Sequence, residues 1–142
     1  MSTETNKATV RRMVEQVWNE HRLDLIEEFF TEDFVSHMAG APSSVGLEEV
    51  KAGIAMTLNA FPDFKFGIDD VIAEGDEVVI RWTSRGTHQG ELHGIPATGK
   101  QVTMEGAAFY RLVNARIAEL WNRYDNLSMM QQLGVIPAPE AA

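Results

Sequence analysis

The chain has 142 residues, of which 44% are hydrophobic and 23% are charged, a composition typical of one compact globular domain. A formal net charge of -9, with scattered basic residues, argues against a nucleic-acid partner or an anionic membrane surface. The chain has no cysteine and no apolar run of the roughly 20 residues that a membrane-spanning helix needs. We therefore expect a single cytoplasmic domain over residues 1–142, with loose tails at 1–7 and 137–142.

The first part of the chain has the hydrophobic period of amphipathic helices. Apolar residues recur at i, i+3, i+4, i+7 and i+8 from Val10 to Trp18. Three helices are predicted: one that starts after Thr5 and ends near His21, one short helix capped by Asp24, and one from Leu47 to Phe61 that Pro62 stops.

From Asp63 onward the hydrophobic period changes to two, which is typical of strands. Runs 64–73 and 78–88 form one predicted antiparallel hairpin, and runs 101–112 and 116–125 form a second. The loop between the hairpins is long and rich in Gly and Pro, so we expect it to cover a pocket mouth. Helices followed by paired strands indicate an α+β domain, with N-terminal helices packed on a curved, mostly antiparallel sheet.

The predicted strands are apolar on both faces. Ile80 and Trp82 alternate with Val79, and Tyr110 alternates with Phe109. A sheet that has helices on one side and remains apolar on the other commonly packs against a second sheet. We therefore predict a homodimer that forms through the sheet faces.

Asp125 is the candidate catalytic residue. It ends the last predicted strand and has the same parity as Trp121 and Ile117, which places the three side chains on one face that we expect to be enclosed. An apolar pocket disfavours the charged form of a carboxyl group and so suits it to general acid or base chemistry. The alternative is that Asp125 caps a helix beginning at Leu127.

Two stretches of the chain resemble a known family. These are the loop Gly86-Thr-His-Gln-Gly-Glu-Leu-His-Gly-Ile-Pro-Ala-Thr-Gly-Lys100 and the ending Glu119-Leu-Trp121 to Asp125, followed by Gln131-Gln-Leu-Gly134. With the order of elements, they resemble the SnoaL-like polyketide (ester) cyclases of the NTF2-like superfamily, over about residues 8–137. The resemblance implies the NTF2-like cone.

The resemblance also implies a site. A carboxylate at the position of Asp125 is the general acid/base of an intramolecular aldol condensation in these cyclases, and a histidine matching His88 lies in the same pocket. The cyclases also carry a histidine and a glutamine where this chain has Ala108 and Gly106, so its cavity should be larger and less polar. The implied activity is that of a polyketide cyclase-like lyase or isomerase that uses no cofactor and no metal.

Other side chains are predicted to complete the pocket. His88 has the same strand parity as Trp82, so it could donate to an enolate oxygen or orient Asp125, although a loop histidine often serves only local hydrogen bonds. Four residues are predicted to bind substrate: His37, Trp82, Tyr110 and Trp121. The tryptophans have the competing interpretation of ordinary core residues.

Three functions remain open from the sequence. The first is acid/base catalysis on a hydrophobic carbonyl compound, and the second is small-molecule binding without turnover. The third is an epoxide hydrolase of the limonene type, which is disfavoured because Arg81-Trp-Thr83 lacks the carboxylate of the Arg-x-Asp pair.

Overall fold

The computed structural model describes residues 2–38 and 42–137. Within these ranges the α-helices are α1 (Thr3–Met13), α2 (Ile26–Phe29), α3 (Leu47–Ala60) and α4 (Asn126–Gln132). The strands are β1 (Phe30–Met38), β2 (Ser44–Val45), β3 (Lys65–Glu74), β4 (Glu77–Thr87), β5 (Gln101–Val113) and β6 (Arg116–Tyr124). A π-helix, Val14–Asn19, continues α1, and a 3₁₀ turn, Leu23–Leu25, precedes α2.

The strands form one curved sheet in the order β2-β1-β6-β5-β4-β3, and the helices pack on its inner face. Strand β1 pairs in parallel with β6, whereas the other neighbouring strands are antiparallel. The structure confirms the predicted α+β fold with a mostly antiparallel sheet. Strands β1 and β2 do not follow from the sequence pattern.

The helical predictions need two corrections at the N-terminal side. Residues 3–7 are not a loose tail, because the Thr5 amide donates to the Ser2 hydroxyl at 3.1 Å and α1 begins there. Asp24 does not cap the second helix, since its carboxylate instead accepts from the Arg22 guanidinium at 2.9 and 3.0 Å. Of the predicted C-terminal tail, residues 138–142 lie outside the described residues.

The core lies between the helices and the inner sheet face. On β4 and β5 the even-numbered residues point inward, as the strand period predicts, and Ile80, Trp82 and Tyr110 are buried. From α1 and its π-helical extension, Val10 and Val17 belong to the same buried cluster.

No helix in the two described stretches is long and apolar enough to cross a membrane.

A β-bulge in β6 reverses the predicted faces of that strand. Arg111 pairs with Glu119 but Leu112 pairs with Ile117, so Ala118 is an extra residue without a cross-strand partner. Ile117 and Ala118 are both buried. Side chains beyond the bulge therefore change sides, and the prediction that Trp121 shares a face with Ile117 was wrong.

Candidate functional site

A cavity of about 370 Å³ lies between the inner sheet face and the helices. Its wall is mainly apolar and aromatic, with contributions from Met13, Phe30, Ile54, Phe61, Phe64, Phe66, Trp82, Met104, Leu120 and Met129. A cavity with such a wall suits a hydrophobic ligand, because desolvation of the ligand is then favourable.

A few polar groups interrupt this wall. The Trp82 indole donates from Nε1 to Asn122 Oδ1 at 3.2 Å, and both side chains line the cavity. The hydroxyl-bearing residues Ser84 and Tyr110 also line it and are 4% and 3% exposed. Burial raises the pKa of Tyr110 above its ordinary value of 10.0, so its hydroxyl stays protonated and can donate to a ligand.

Two of the predicted substrate-binding residues, Trp82 and Tyr110, line the cavity. Trp82 also packs against Phe66, with ring centroids 5.2 Å apart. Both positions follow from the regular alternation of β4 and β5. Their role in binding a substrate stays a prediction.

The other two, His37 and Trp121, lie on the outer sheet face. They are register partners in β1 and β6, and their rings stack with centroids 5.3 Å apart. His37 Nε2 lies 2.7 Å from Glu119 Oε2, and its Nδ1 lies 2.7 Å from the Ser43 hydroxyl. The bulge at Ala118 turns Trp121 outward, and its register partner His37 lies on the same outer face. The expectation that His37 and Trp121 line the cavity was therefore wrong.

Asp125 is exposed and is the N-cap of α4. Its Oδ1 accepts from the Ser128 amide at 2.9 Å, which satisfies one of the free donors at the start of the helix. The expectation that Asp125 lies on an enclosed apolar face was therefore wrong. Its chain neighbours Tyr124 and Asn126 do line the cavity, so Asp125 lies beside the cavity wall.

His88 is fully buried just after β4, behind the cavity wall. Its Nδ1 accepts from the Thr98 amide at 3.2 Å, so the ring proton is on Nε2, which has no partner in the part of the chain that the structure describes. Its backbone amide donates 2.8 Å to the Lys100 carbonyl, and its carbonyl accepts 2.8 Å from the Gly99 amide. His88 thus holds together the ends of the loop at residues 89–100.

The loop at residues 89–100 contributes to the cavity wall. The amides of Gln89 and Gly90 donate to the Ala60 carbonyl at 2.9 and 3.1 Å, which ties the loop to the end of α3. Buried Leu92 and exposed His93 then line the cavity.

Several residues that line the cavity were not predicted from the sequence. Ser84 has the parity of Trp82 and could have been found from that pattern alone. Asn122 and Tyr124 could not, because the bulge at Ala118 hides their inward orientation.

An α+β cone with an apolar cavity and a few internal hydrogen-bond donors is the architecture of a small-molecule-binding protein. The sequence profile of the SnoaL-like polyketide cyclases matches residues 8–133, and the chain belongs to this family. The chain is 30% identical to aklanonic acid methyl ester cyclase DauD of Streptomyces sp. strain C5, over 92% of this chain and 83% of that one. It is also 30% identical to aklanonic acid methyl ester cyclase DnrD of Streptomyces peucetius, over 99% and 97% of the two chains.

The structural comparison agrees with the sequence comparison. A crystal structure from Jannaschia sp. CCS1, assigned as a SnoaL-like polyketide cyclase, superposes with a TM-score of 0.88 at 25% identity, covering 95% of each chain. The protein is thus a member of a cyclase family with the NTF2-like cone, as the sequence predicted.

Proposed function

We propose that the protein closes a ring in a hydrophobic, polyketide-like carbonyl compound by aldol-type chemistry. A base removes a proton from the carbon next to one carbonyl, and the resulting enolate carbon forms a bond to a second carbonyl carbon. The oxygen of that second carbonyl then takes up a proton, so no redox partner is needed. The observation that supports this proposal best is the apolar cavity with inward-facing donors from Tyr110, Ser84 and Asn122.

Asp125 is the base in this proposal. The carboxylate lies beside the cavity wall and not within it, so the reacting carbon of the substrate must approach the wall at Tyr124 and Asn126. His88 then acts indirectly, because the hydrogen bond that it accepts from the Thr98 amide holds the loop at residues 89–100, which contributes Leu92 and His93 to the cavity wall. Trp82 and Tyr110 bind the body of the substrate.

Replacing Asp125 separates its proposed catalytic role from its capping role. In Asp125→Asn a side-chain oxygen remains to accept from the Ser128 amide, so helix α4 keeps its cap. We expect thermal stability close to that of the wild type, while turnover falls by about 100-fold or more because the base is lost. Aklanonic acid methyl ester, named for the relatives, is the first substrate to test.

The control for this experiment is Glu91→Gln, which removes an exposed negative charge from the nearby loop. It should leave turnover unchanged. An Asp125→Asn protein as active as the wild type would exclude Asp125 as the base. Asp125→Ala is informative for stability alone, since it should cost about 1 kcal/mol through loss of the cap.

A second candidate function is ligand binding without turnover. Apart from tyrosines, the titratable side chains lining the cavity within residues 2–38 and 42–137 are Glu49 and His93, and both are exposed. Saturable binding of polyketides with no product formed would favour this alternative. The epoxide hydrolase alternative loses support because Arg81 points outward, where its Nε donates to Asp70 at 3.0 Å.

We also propose that the protein is a cytoplasmic homodimer. Five residues in register across five strands form an outer row on the convex sheet face: Ile72, Val79, Phe109, Trp121 and His37. Ile72 and Phe109 are 66% and 42% exposed, and Phe109 lies on the interior strand β5, where an exposed large apolar side chain is unusual. The lack of cysteine supports the proposed location in a reducing compartment.

A further inference from the structure

The orientation of the Asn122 side-chain amide is determined by its hydrogen bond with Trp82. An indole N–H can only donate, so the Asn122 atom that faces Trp82 Nε1 at 3.2 Å must be the carbonyl oxygen Oδ1. The two N–H groups of Asn122 Nδ2 must then point away from Trp82. Among residues 2–38 and 42–137, no acceptor takes a hydrogen bond from Nδ2, although the side chain lines the cavity.

Trp82 is itself held in one position. Its side chain is 5% exposed, and its ring packs against Phe66 and against Tyr124, with centroids 5.2 and 6.3 Å apart. Its register partner in β5 is Gly106, where a Cβ atom would lie 2.5 Å from Trp82 Cζ2. The indole therefore lies directly over the bare backbone of Gly106, a position that a side chain there would block.

On the β5 side, the cross-strand neighbour of Asn122 leaves space beside the amide. Asn122 pairs with Ala108 of β5, whose side chain ends at Cβ and is 1% exposed. A longer side chain at residue 108 would project from β5 beside the amide. Gly106 and Ala108 thus have complementary effects, since one admits the indole and the other leaves room beside the amide.

We infer that Asn122 Nδ2 donates a hydrogen bond to a carbonyl oxygen of the ligand, and that Trp82 is the positioning residue that fixes this donor. The inference rests on the proposed ring closure, in which such an oxygen gains negative charge as the enolate forms. A neutral amide that is oriented before the ligand arrives needs no reorganisation at that step. It would also select ligands that carry an acceptor at this point over apolar ligands of the same shape.

Two probes of nearly equal shape test the inference: anthraquinone-2-sulfonate, which has ring carbonyls, and anthracene-2-sulfonate, which has none. Their affinities can be measured by isothermal titration calorimetry. We expect wild-type protein to bind the quinone roughly fivefold more tightly, the effect of one neutral hydrogen bond. Asn122→Leu should bind both probes with equal affinity, since leucine has the same number and branching of side-chain heavy atoms but no donor.

Three further variants make the test specific. Asn122→Asp keeps an acceptor for Trp82 Nε1 but presents oxygen to the cavity, so it should also lose the preference for the quinone. Trp82→Phe keeps an aromatic ring and removes the indole donor, and the preference should shrink because the amide can rotate. Asn126→Leu is the matched control, because it removes an amide that lines the same cavity but is not the hydrogen-bond partner of Trp82, and the preference should persist.

The possible failures are distinguishable. Equal binding of the two probes by the wild type, or a preference that survives in both Asn122 variants, would overturn the role of Asn122 and leave the cavity as a ligand site. Binding of neither probe at millimolar concentration would overturn the proposed function, and this inference with it. A change in the ratio of the two affinities is a result that a merely structural role of Asn122 would not produce.

Discussion

Glu119 connects three strands on the outer sheet face. One carboxylate oxygen lies 2.7 Å from His37 Nε2 in β1, and the other accepts from Arg111 Nε in β5 at 3.1 Å. The hydrogen bond with His37 lowers the pKa of Glu119 below its ordinary value of 4.5, burial opposes this shift, and the bond with Arg111 lowers the pKa further. The folded protein thus holds this proton less tightly than the unfolded chain does.

The stability of Glu119→Gln should therefore depend on pH differently from that of the wild type. The carboxylate stabilises the folded state fully above pH 4.5, and this contribution disappears as the pH falls through the lower pKa of the folded protein. We expect the variant to be less stable than the wild type by about 1 kcal/mol at pH 7 and nearly equal to it at the acid end. Urea denaturation across this range measures the difference.

The control is Glu105→Gln, on the same sheet face, where the exposed carboxylate makes no hydrogen bond to another described residue. Its stability relative to the wild type should not change across the acid range. A stability deficit in Glu119→Gln that stays constant down to acid pH would contradict the assigned ion pairs.

Helix α4 is attached to the sheet by one glutamine side chain. Gln132 Oε1 accepts from the Thr103 amide at 2.8 Å, and its Nε2 donates to the Thr103 carbonyl at 2.8 Å. Strand β6 pairs with β5 only from Gly106 onward, so Thr103 has no partner strand on that side. The glutamine amide takes the place of the missing strand and so positions Met129 at the cavity wall.

Gln132→Glu should release α4. The carboxylate can still accept from the Thr103 amide, but it cannot donate to the Thr103 carbonyl and places a negative charge beside it. We expect faster hydrogen exchange at residues 126–132 and a loss of about 1 kcal/mol in the free energy of unfolding. Gln131→Glu is the matched control, because it makes the same charge change one residue earlier, and equal exchange in the two variants would refute this attachment.

The strands were predictable where alternation is unbroken and not where it is interrupted. The inward positions of Trp82 and Tyr110 follow from period two in β4 and β5. In β6 the chain beyond Ala118 offers an apolar side chain to either face, since the adjacent residues Leu120 and Trp121 are equally suited to burial. The sequence therefore offers no pattern that reveals the bulge, and a shift by one residue reverses the face.

The candidate site was less predictable because its residues lie where strands end. Asp125 and His88 each follow the last residue of a strand, and there strand parity no longer determines where a side chain points. The side-chain orientation is set instead by a hydrogen bond that each residue accepts, from the Ser128 amide for Asp125 and from the Thr98 amide for His88. Strand β1 was missed because its parallel partner β6 is distant in the chain and its local partner β2 has only two residues.

The whole molecule has two sheet faces of different character. The inner face encloses the cavity, whereas the outer face presents the outer row around Phe109 and Trp121. Charged residues accompany this row, since Glu77 and Arg123 border the depression between the two rings. An apolar centre with a charged border is the usual anatomy of a protein interface, and a two-fold axis through the row would pair the same residues of two copies.

Phe109→Glu should convert the proposed dimer into a monomer. Residue 109 lies at the centre of the outer row, so a symmetric dimer would bring two buried carboxylates together without a compensating charge, at a cost of several kcal/mol. The monomer should keep its fold, because Phe109 is 42% exposed and its removal leaves the core intact. Light scattering after size-exclusion chromatography gives the mass, with Leu127→Glu as a control that places the same charge at a 55% exposed residue on α4. A wild-type protein that is monomeric at micromolar concentration, or a Phe109→Glu protein that remains dimeric, would show that the outer row is not the interface.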